Sequence, residues 1–423
     1  MRRGLRILFS LTAGAAILAA SASCRQRPSG APSSRPAPAP ARAPVLPEPR
    51  PVMALETRPA PLRATPPALA PWPSFRGGPA QRGLAHGTLG RNFSLLWRFE
   101  TGRAVRSSPV VAEGKVFIGS DDGAVYAIDL ASGHKVWSTP TDASVSAAPT
   151  YVGGRIYVGS QDRVVYCLSA ATGGLIWSFP TEGDIRAAAA WAPDADGADG
   201  KILVGSYDFT LYCLRASDGR KLWECKTDNY INGTPAVAQG RAVFGGCDRV
   251  VYALALADGA VLQKLPTGGD TAYIPASVAL DGSQAFVANY EGKIMRIDLA
   301  AGRIDWTVAL PDKQEFCSPA LTDSHVIIGD GGDNRLRCLD RRDGKPAWEF
   351  PTRGPIESSP VVCDGKVVFG AGDGRLYVLD LADGHCLWSR DLGQALASSP
   401  AVVDGKIIVG CDDGFVYVFG PKE

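Results

Sequence analysis

The chain has 423 residues, of which 45% are hydrophobic, 21% charged and 8% aromatic, a balance that supports a sizeable core and excludes wholesale disorder. With 48 Gly and 32 Pro against 3 Met, it is ill suited to an all-α fold and points to short strands and tight turns. The formal charge of +1 argues against a nucleic-acid binder, but it averages unlike parts: residues 1–70 hold ten Arg and two Glu, +8, which leaves −7 on the rest.

Arg2, Arg3 and Arg6 lead into the apolar stretch Ile7 to Ala22, which ends in small residues. Residues 1–23 therefore read as an export signal, too short for a membrane span. Ser21-Ala22-Ser23 before Cys24 resembles a bacterial lipobox, although Ser21 stands where that motif prefers Leu. The expectation is lipidation of Cys24; the alternative is cleavage after Ala20-Ser21-Ala22, leaving a free thiol near the start of a secreted protein. Arg25 in place of Asp after Cys24 favours the outer membrane, with the protein facing the periplasm. Residues 24–71 form a Pro/Ala/Arg-rich disordered linker, with fifteen prolines between Arg25 and Pro73 and no apolar periodicity. In polyproline geometry at ~3.1 Å per residue such a tether reaches on the order of 150 Å.

The rest of the chain repeats. A short apolar run ending in Gly or Ala recurs as Val116-Phe-Ile-Gly119, Ile156-Tyr-Val-Gly159, Ile202-Leu-Val-Gly205, Ala242-Val-Phe-Gly245, Ala285-Phe-Val-Ala288, Val326-Ile-Ile-Gly329, Val367-Val-Phe-Gly370 and Ile407-Ile-Val-Gly410, at spacings of 40 to 46 residues. Eighteen or nineteen residues after each of the first seven comes Trp137, Trp177, Trp223, Trp306, Trp348 or Trp388, with Gln263 the one substitution. Twelve or thirteen later comes Pro149, Pro235, Pro275, Pro319, Pro360 or Pro400, with Ala189 in the remaining place.

Between these landmarks the first repeat predicts four strands, Pro109–Ala112, Lys115–Gly119, Ala124–Leu130 and Lys135–Thr139, separated by turn residues. Four strands in about 41 residues make one propeller blade. The predicted fold is all-β: an eight-bladed β-propeller of four-stranded antiparallel blades over residues 72–423. After Gly410 only a third strand, Phe415 to Phe419, follows. Its partner is expected in Ser94–Phe99, which carries the orphan Trp97 twelve residues before Pro109, so that the N-terminal strand closes the ring.

Blocks such as Gly119-Ser-Asp-Asp-Gly-Ala-Val-Tyr-Ala-Ile-Asp-Leu-Ala-Ser-Gly-His-Lys-Val-Trp137 resemble the tryptophan-docking repeat of quinoprotein, or PQQ-like, β-propellers, and Trp72-Pro-Ser-Phe-Arg-Gly-Gly-Pro79 resembles the segment that opens them. The resemblance covers about residues 72–420. A lipid-anchored eight-bladed member is also similar in architecture to the BamB family of outer-membrane assembly lipoproteins. That resemblance implies a protein partner in the cell envelope, among the barrel-assembly machinery. The quinoprotein enzymes it also resembles need a calcium-bound quinone (PQQ), a carboxylate base, an aromatic platform and, in several members, adjacent cysteines.

Trp97, Trp137, Trp177, Trp223, Trp306, Trp348 and Trp388 are expected to pack between blades as structural docking residues. The recurrent Asp122, Asp162, Asp208, Asp248, Glu291, Asp333, Asp373 and Asp413 fit hairpin-turn chemistry better than a cation ring. Near the axis, three residues before each proline position, stand Arg106, Ser146, Arg186, Asn232, Ala272, Phe316, Glu357 and Ala397. Of these, Arg106, Arg186, Asn232 and Glu357 either recognise an anionic or sugar-like ligand or salt-bridge across the channel. In blade 3, Asp194, Asp196 and Asp199 offer hard oxygens to Ca²⁺, the alternative being a solvated acidic turn. The ten cysteines include no adjacent pair and no CxxC; Cys167, Cys213 and Cys338 read as core residues, and a Cys213–Cys225 bridge across a hairpin is the pairing considered. The four histidines do not gather. No catalytic residues and no resident cofactor are expected, and the reading is a non-catalytic, lipid-anchored, monomeric scaffold. The alternative is a PQQ/Ca²⁺-dependent dehydrogenase or a ligand-binding sensor.

Overall fold

The structure, a computed structural model, describes residues 72–194, 199–310 and 317–421. The export signal 1–23, Cys24 and the linker 24–71 lie outside them, as does Asp196.

Eight four-stranded antiparallel sheets form the fold. Blade 1 consists of Val110–Ala112, Lys115–Gly119, Ala124–Asp129 and Lys135–Pro140, each within a residue of its predicted bounds. Blades 2 to 7 begin at Thr150, Ala190, Ala236, Ala279, Ala320 and Val361. Blade 8 takes Ala401–Val403, Lys406–Gly410 and Phe415–Gly420, and its fourth strand is Ser94–Glu100, paired from Ser94 opposite Gly420 to Glu100 opposite Phe415. The first strands of neighbouring blades touch one another all the way round, including blade 8 against blade 1.

The recurrent glycine that ends the second strand in seven blades, with Ala288 in its place in blade 5, has a packing cause. A Cβ on Gly159 would lie 2.1 Å from Ile185, and one on Gly205 2.4 Å from Ile231, the fully buried residue that leads into the next blade. Only a missing side chain lets the blades approach this closely. This contact also sets the register of blade 5: Ile274 fills the place against Gly245, so Pro275 holds the axial position that spacing had assigned to Ala272.

Each tryptophan of the fourth strand lies over the third-to-fourth turn of the following blade. Indole Nε1 donates to a turn carbonyl: Trp97 to Leu130, Trp137 to Ala170 and Trp177 to Ala216 at 3.0 Å, Trp223 to Leu256 at 3.2 Å, Trp306 to Arg341 at 3.1 Å and Trp348 to Leu381 at 2.8 Å. Gln263 keeps the bond without the ring, its Nε2 donating to Leu299 O at 2.6 Å. Trp388 differs, because the third and fourth strands of blade 8 come from distant parts of the chain and share no turn; it meets Phe93 and Phe419 edge-on at 5.2 and 5.5 Å.

Residues 72–89, for which the sequence predicted no strand or contact, form a strap along the inner edges of the blades. Trp72 exchanges two backbone bonds with Val111 of blade 1, and Pro73 O accepts from Tyr151 of blade 2. Pro79, Ala80, Arg82 and Gly83 then accept in turn from Val237, Leu280, Leu321 and Val362 of blades 4 to 7. These N–H groups belong to edge strands that would otherwise be unpaired. Arg76, 2% exposed, donates to Gln81 O at 3.2 Å, Pro360 O at 3.1 Å and Pro319 O at 2.5 Å. Burial pulls its pKa down to about 10.

The nine described cysteines are free. In blade 3, Cys213 stands opposite Trp223 and Cys225 opposite Leu211, so the Cys213–Cys225 bridge is not formed: the two are diagonal neighbours, beyond the separation a disulfide spans. Cys167 and Cys338 occupy the equivalent place opposite Trp177 and Trp348, as expected of core residues.

Candidate functional site

One face of the ring gathers the second-to-third turns and the links that carry the chain from each fourth strand to the next blade. The repeated carboxylates hold these links. Asp122 accepts from Gly102 N of the preceding link at 2.7 Å, from Ala124 N of its own turn at 3.0 Å and from Tyr126 OH at 2.6 Å. Asp162, Asp208, Asp248 and Asp373 repeat the triple, with Tyr166, Tyr212, Tyr252 and Tyr377 as the phenols. Asp413 binds Phe415 N and Tyr417 OH, Glu291 binds Gly269 N and Lys293, and in blade 6 Arg337 replaces the tyrosine against Asp333. Burial, and then the bond to the carboxylate, push the phenols far above their ordinary pKa. All eight carboxylates thus serve the ring, as turn chemistry predicted.

Nearer the axis a second pattern is purely backbone. In seven blades the residue two beyond the marker donates its N–H to the link: Asp121 to Ala104 O, Gln161 to Ser144 O, Tyr207 to Asp184 O, Cys247 to Tyr230 O, Tyr290 to Tyr273 O, Gly372 to Pro355 O and Asp412 to Ala395 O, at 2.7–3.0 Å. Side chains at these positions are not fixed by the bond, and they divide the mouth into two halves.

In blades 7, 8 and 1 the half is charged. Arg106, half exposed, lies 3.3 Å from Asp412 and 3.6 Å from Asp121. The Asp412 bond, with the nearby charges of Asp121 and Glu357, raises the Arg106 pKa, while burial raises that of Asp121. Arg106 and Glu357 thus share this side, and Arg106 pairs with neighbouring blades rather than across the channel.

In blades 3 to 5 the half is aromatic. The Arg186 guanidinium sits 4.9 Å over the Tyr207 ring and 3.4 Å from Asp184. Tyr207 stacks on Tyr230 at 4.7 Å, and Phe209 meets Tyr230 edge-on at 5.1 Å. Asn232 accepts from Tyr207 OH at 2.8 Å and donates to Pro275 O at 3.0 Å, reaching the blade of Tyr273 and Tyr290, whose rings lie 6.5 Å apart. The structure thus joins predicted Arg186 and Asn232 through Tyr207. The sequence reading missed these aromatics because they depart from the repeat; a comparison of the residue two after each marker reveals Tyr207 and Tyr290, and the link residues bonded to that position in blades 4 and 5 are Tyr230 and Tyr273.

Of the blade 3 acidic loop, Asp194 is bound by Lys201 Nζ, while Asp199 accepts from Ser217 Oγ and, at 2.8 Å, from Gly200 N. Among the described residues, no group of three His, Cys, Asp or Glu is placed to hold a metal ion.

The chain is similar to proteins of two functional kinds. The chain is 32% identical over 143 residues to the quinohemoprotein alcohol dehydrogenase ADH-IIG of Pseudomonas putida, covering 30% of this chain and 20% of that protein. It is 29% identical over 82 residues to the outer membrane protein assembly factor BamB of Nitrosomonas eutropha, covering 19% of each. The chain thus spans about a fifth of the length of the curated relatives it matches. Among solved structures, BamB from Moraxella catarrhalis superposes with a TM-score of 0.65 at 18% identity, over 78% of this chain and 98% of that one. The quinohemoprotein alcohol dehydrogenase from Comamonas testosteroni does so with a TM-score of 0.71 at 16% identity, over 86% and 82%. These two likenesses establish the fold alone. The family model for outer membrane protein assembly factor BamB matches residues 91–195, 161–316 and 306–423, and the chain belongs to that family of PQQ-like propellers.

Proposed function

We propose that this protein is a non-catalytic scaffold of the cell envelope, tethered to the outer membrane by a lipid on Cys24, that presents blade edges and loop faces to a protein partner in barrel assembly. The observation that carries this reading is the engagement of the recurrent carboxylates: from Asp122 to Asp413, each is bound to its own turn, to a neighbouring link or to a side chain of its own blade. Such side chains hold a rigid platform. Membership of the BamB family supports the same reading. Affinity purification of the full chain from detergent-solubilised envelopes is expected to recover barrel-assembly subunits; a preparation without them leaves no support for the partner.

A second reading, a quinone-dependent oxidoreductase, is favoured by the 32% identity to the alcohol dehydrogenase. The residues at the mouth fit it poorly. Asp121 and Asp412 both face Arg106, six tryptophans are bound to blade turns, and the sequence has no adjacent cysteines. Adding PQQ with Ca²⁺ is expected to give neither an absorbance change nor dye reduction, and a clear signal in either would overturn the scaffold proposal.

A further inference from the structure

We propose that the aromatic half of the channel mouth binds a neutral saccharide, which lies against Phe209 and Tyr230, the latter backed by Tyr207, and bonds to Arg186 and Asn232. The fold does not require these side chains. In seven blades the same backbone bond forms whether the donor residue is Asp121, Gln161, Tyr207, Cys247, Tyr290, Gly372 or Asp412. Yet Tyr207, Tyr230, Tyr273 and Tyr290 all fall in three consecutive blades.

Phe209 sharpens the argument. It occupies the left-handed corner of the blade 3 turn, φ 70°, where blades 1, 5, 7 and 8 have Gly123, Gly292, Gly374 and Gly414 and blades 2, 4 and 6 have Arg163, Arg249 and Asn334. A bulky side chain in that region is strained, and glycine is free of the strain. Phe209 is nevertheless 38% exposed, its edge contact to Tyr230 leaving much of the ring in solvent. Phe209 is the one aromatic residue among these eight corners, and an exposed ring there points to binding rather than to packing.

Charge and hydrogen-bonding capacity select the ligand. Arg186 is balanced by Asp184 at 3.4 Å, so the site has no net cation for an anionic ligand, and the acidic ring opposes nucleic acid. Arg186 Nε is buried without a partner among the described residues, and Asn232, which commits one bond of Oδ1 to Tyr207 OH and one of Nδ2 to Pro275 O, keeps a second lone pair and a second N–H. Donors and acceptors in mixed array beside an aromatic ledge suit a ligand with hydroxyls on its edge and C–H groups on its face.

The test is calorimetric titration of the full chain with maltohexaose, cellohexaose and chitohexaose, each to about 10 mM, above the ~1 mM Kd of a weak site. At least one is expected to bind, with affinity about tenfold lower in Tyr230→Ala. Phe209→Gly is expected to lose binding similarly while melting at or above the wild-type temperature, which separates a ligand contact from a folding defect. Silence from all three sugars overturns the proposal, as does wild-type affinity in both variants. Binding of a basic peptide with none of the sugars would assign the arc to a protein partner and overturn it too.

Discussion

At the scale of single residues, the seam between blades 4 and 5 is the place where the repeat is weakened. Gln263 retains the bond to Leu299 O but offers no ring to cover the turn at Gly302. Gln263→Trp is expected to stabilise the protein by about 1 kcal/mol or more through added apolar burial, read as a raised thermal midpoint. The tryptophans and turn carboxylates were legible in the sequence because each seam repeats the same contact, and a repeated contact leaves a period. Tyr207, Tyr230 and Phe209 were not, since their significance lies in breaking that period. The cysteines show a further limit: Cys213 and Cys225 share a hairpin, but only the register reveals Trp223 and Leu211 as their opposite residues.

Among the elements, the strap has the least regular sequence and an unusual task. It satisfies the inner edges of six blades through main-chain atoms, so its partners impose little on its side chains. No alternation, no helical period and no copy of the blade repeat marks residues 72–89. Arg76 is the exception, joining the strap to the carbonyls of Pro319 and Pro360 in blades 6 and 7. Arg76→Met is expected to cost about 2–3 kcal/mol in chemical denaturation, the loss of charged hydrogen bonds being partly offset by removal of a buried charge. Arg76→Lys should not restore it, because an ammonium lacks the planar fork that reaches both carbonyls. Blade 5 makes the complementary point: a proline landmark displaced by three residues put Ala272 at the axis, and only the contact of Ile274 with Gly245 shows Pro275 there.

For the whole molecule, closure of the ring by Ser94–Glu100 was legible from an orphan tryptophan and an incomplete last repeat. Removing residues 91–100 strips blade 8 of its outer strand and Trp97 of its seat on blade 1. Differential scanning calorimetry should then show a lower and broader transition for the entire propeller, and a wild-type profile would refute the account of closure. The near-neutral charge of the chain resolves at this scale into a basic N-terminal part and an acidic ring. The strap and the closing strand also order events in time. Leu84 must find Val362, and Leu95 must find Phe419, more than 270 residues away along the chain. Contacts so distant demand loop closure before any reward, which slows folding and leaves early blades with open edges. The N-terminal part of the propeller, first to be synthesised, is therefore among the last to be secured, and the chain needs protection from aggregation until its final strand arrives.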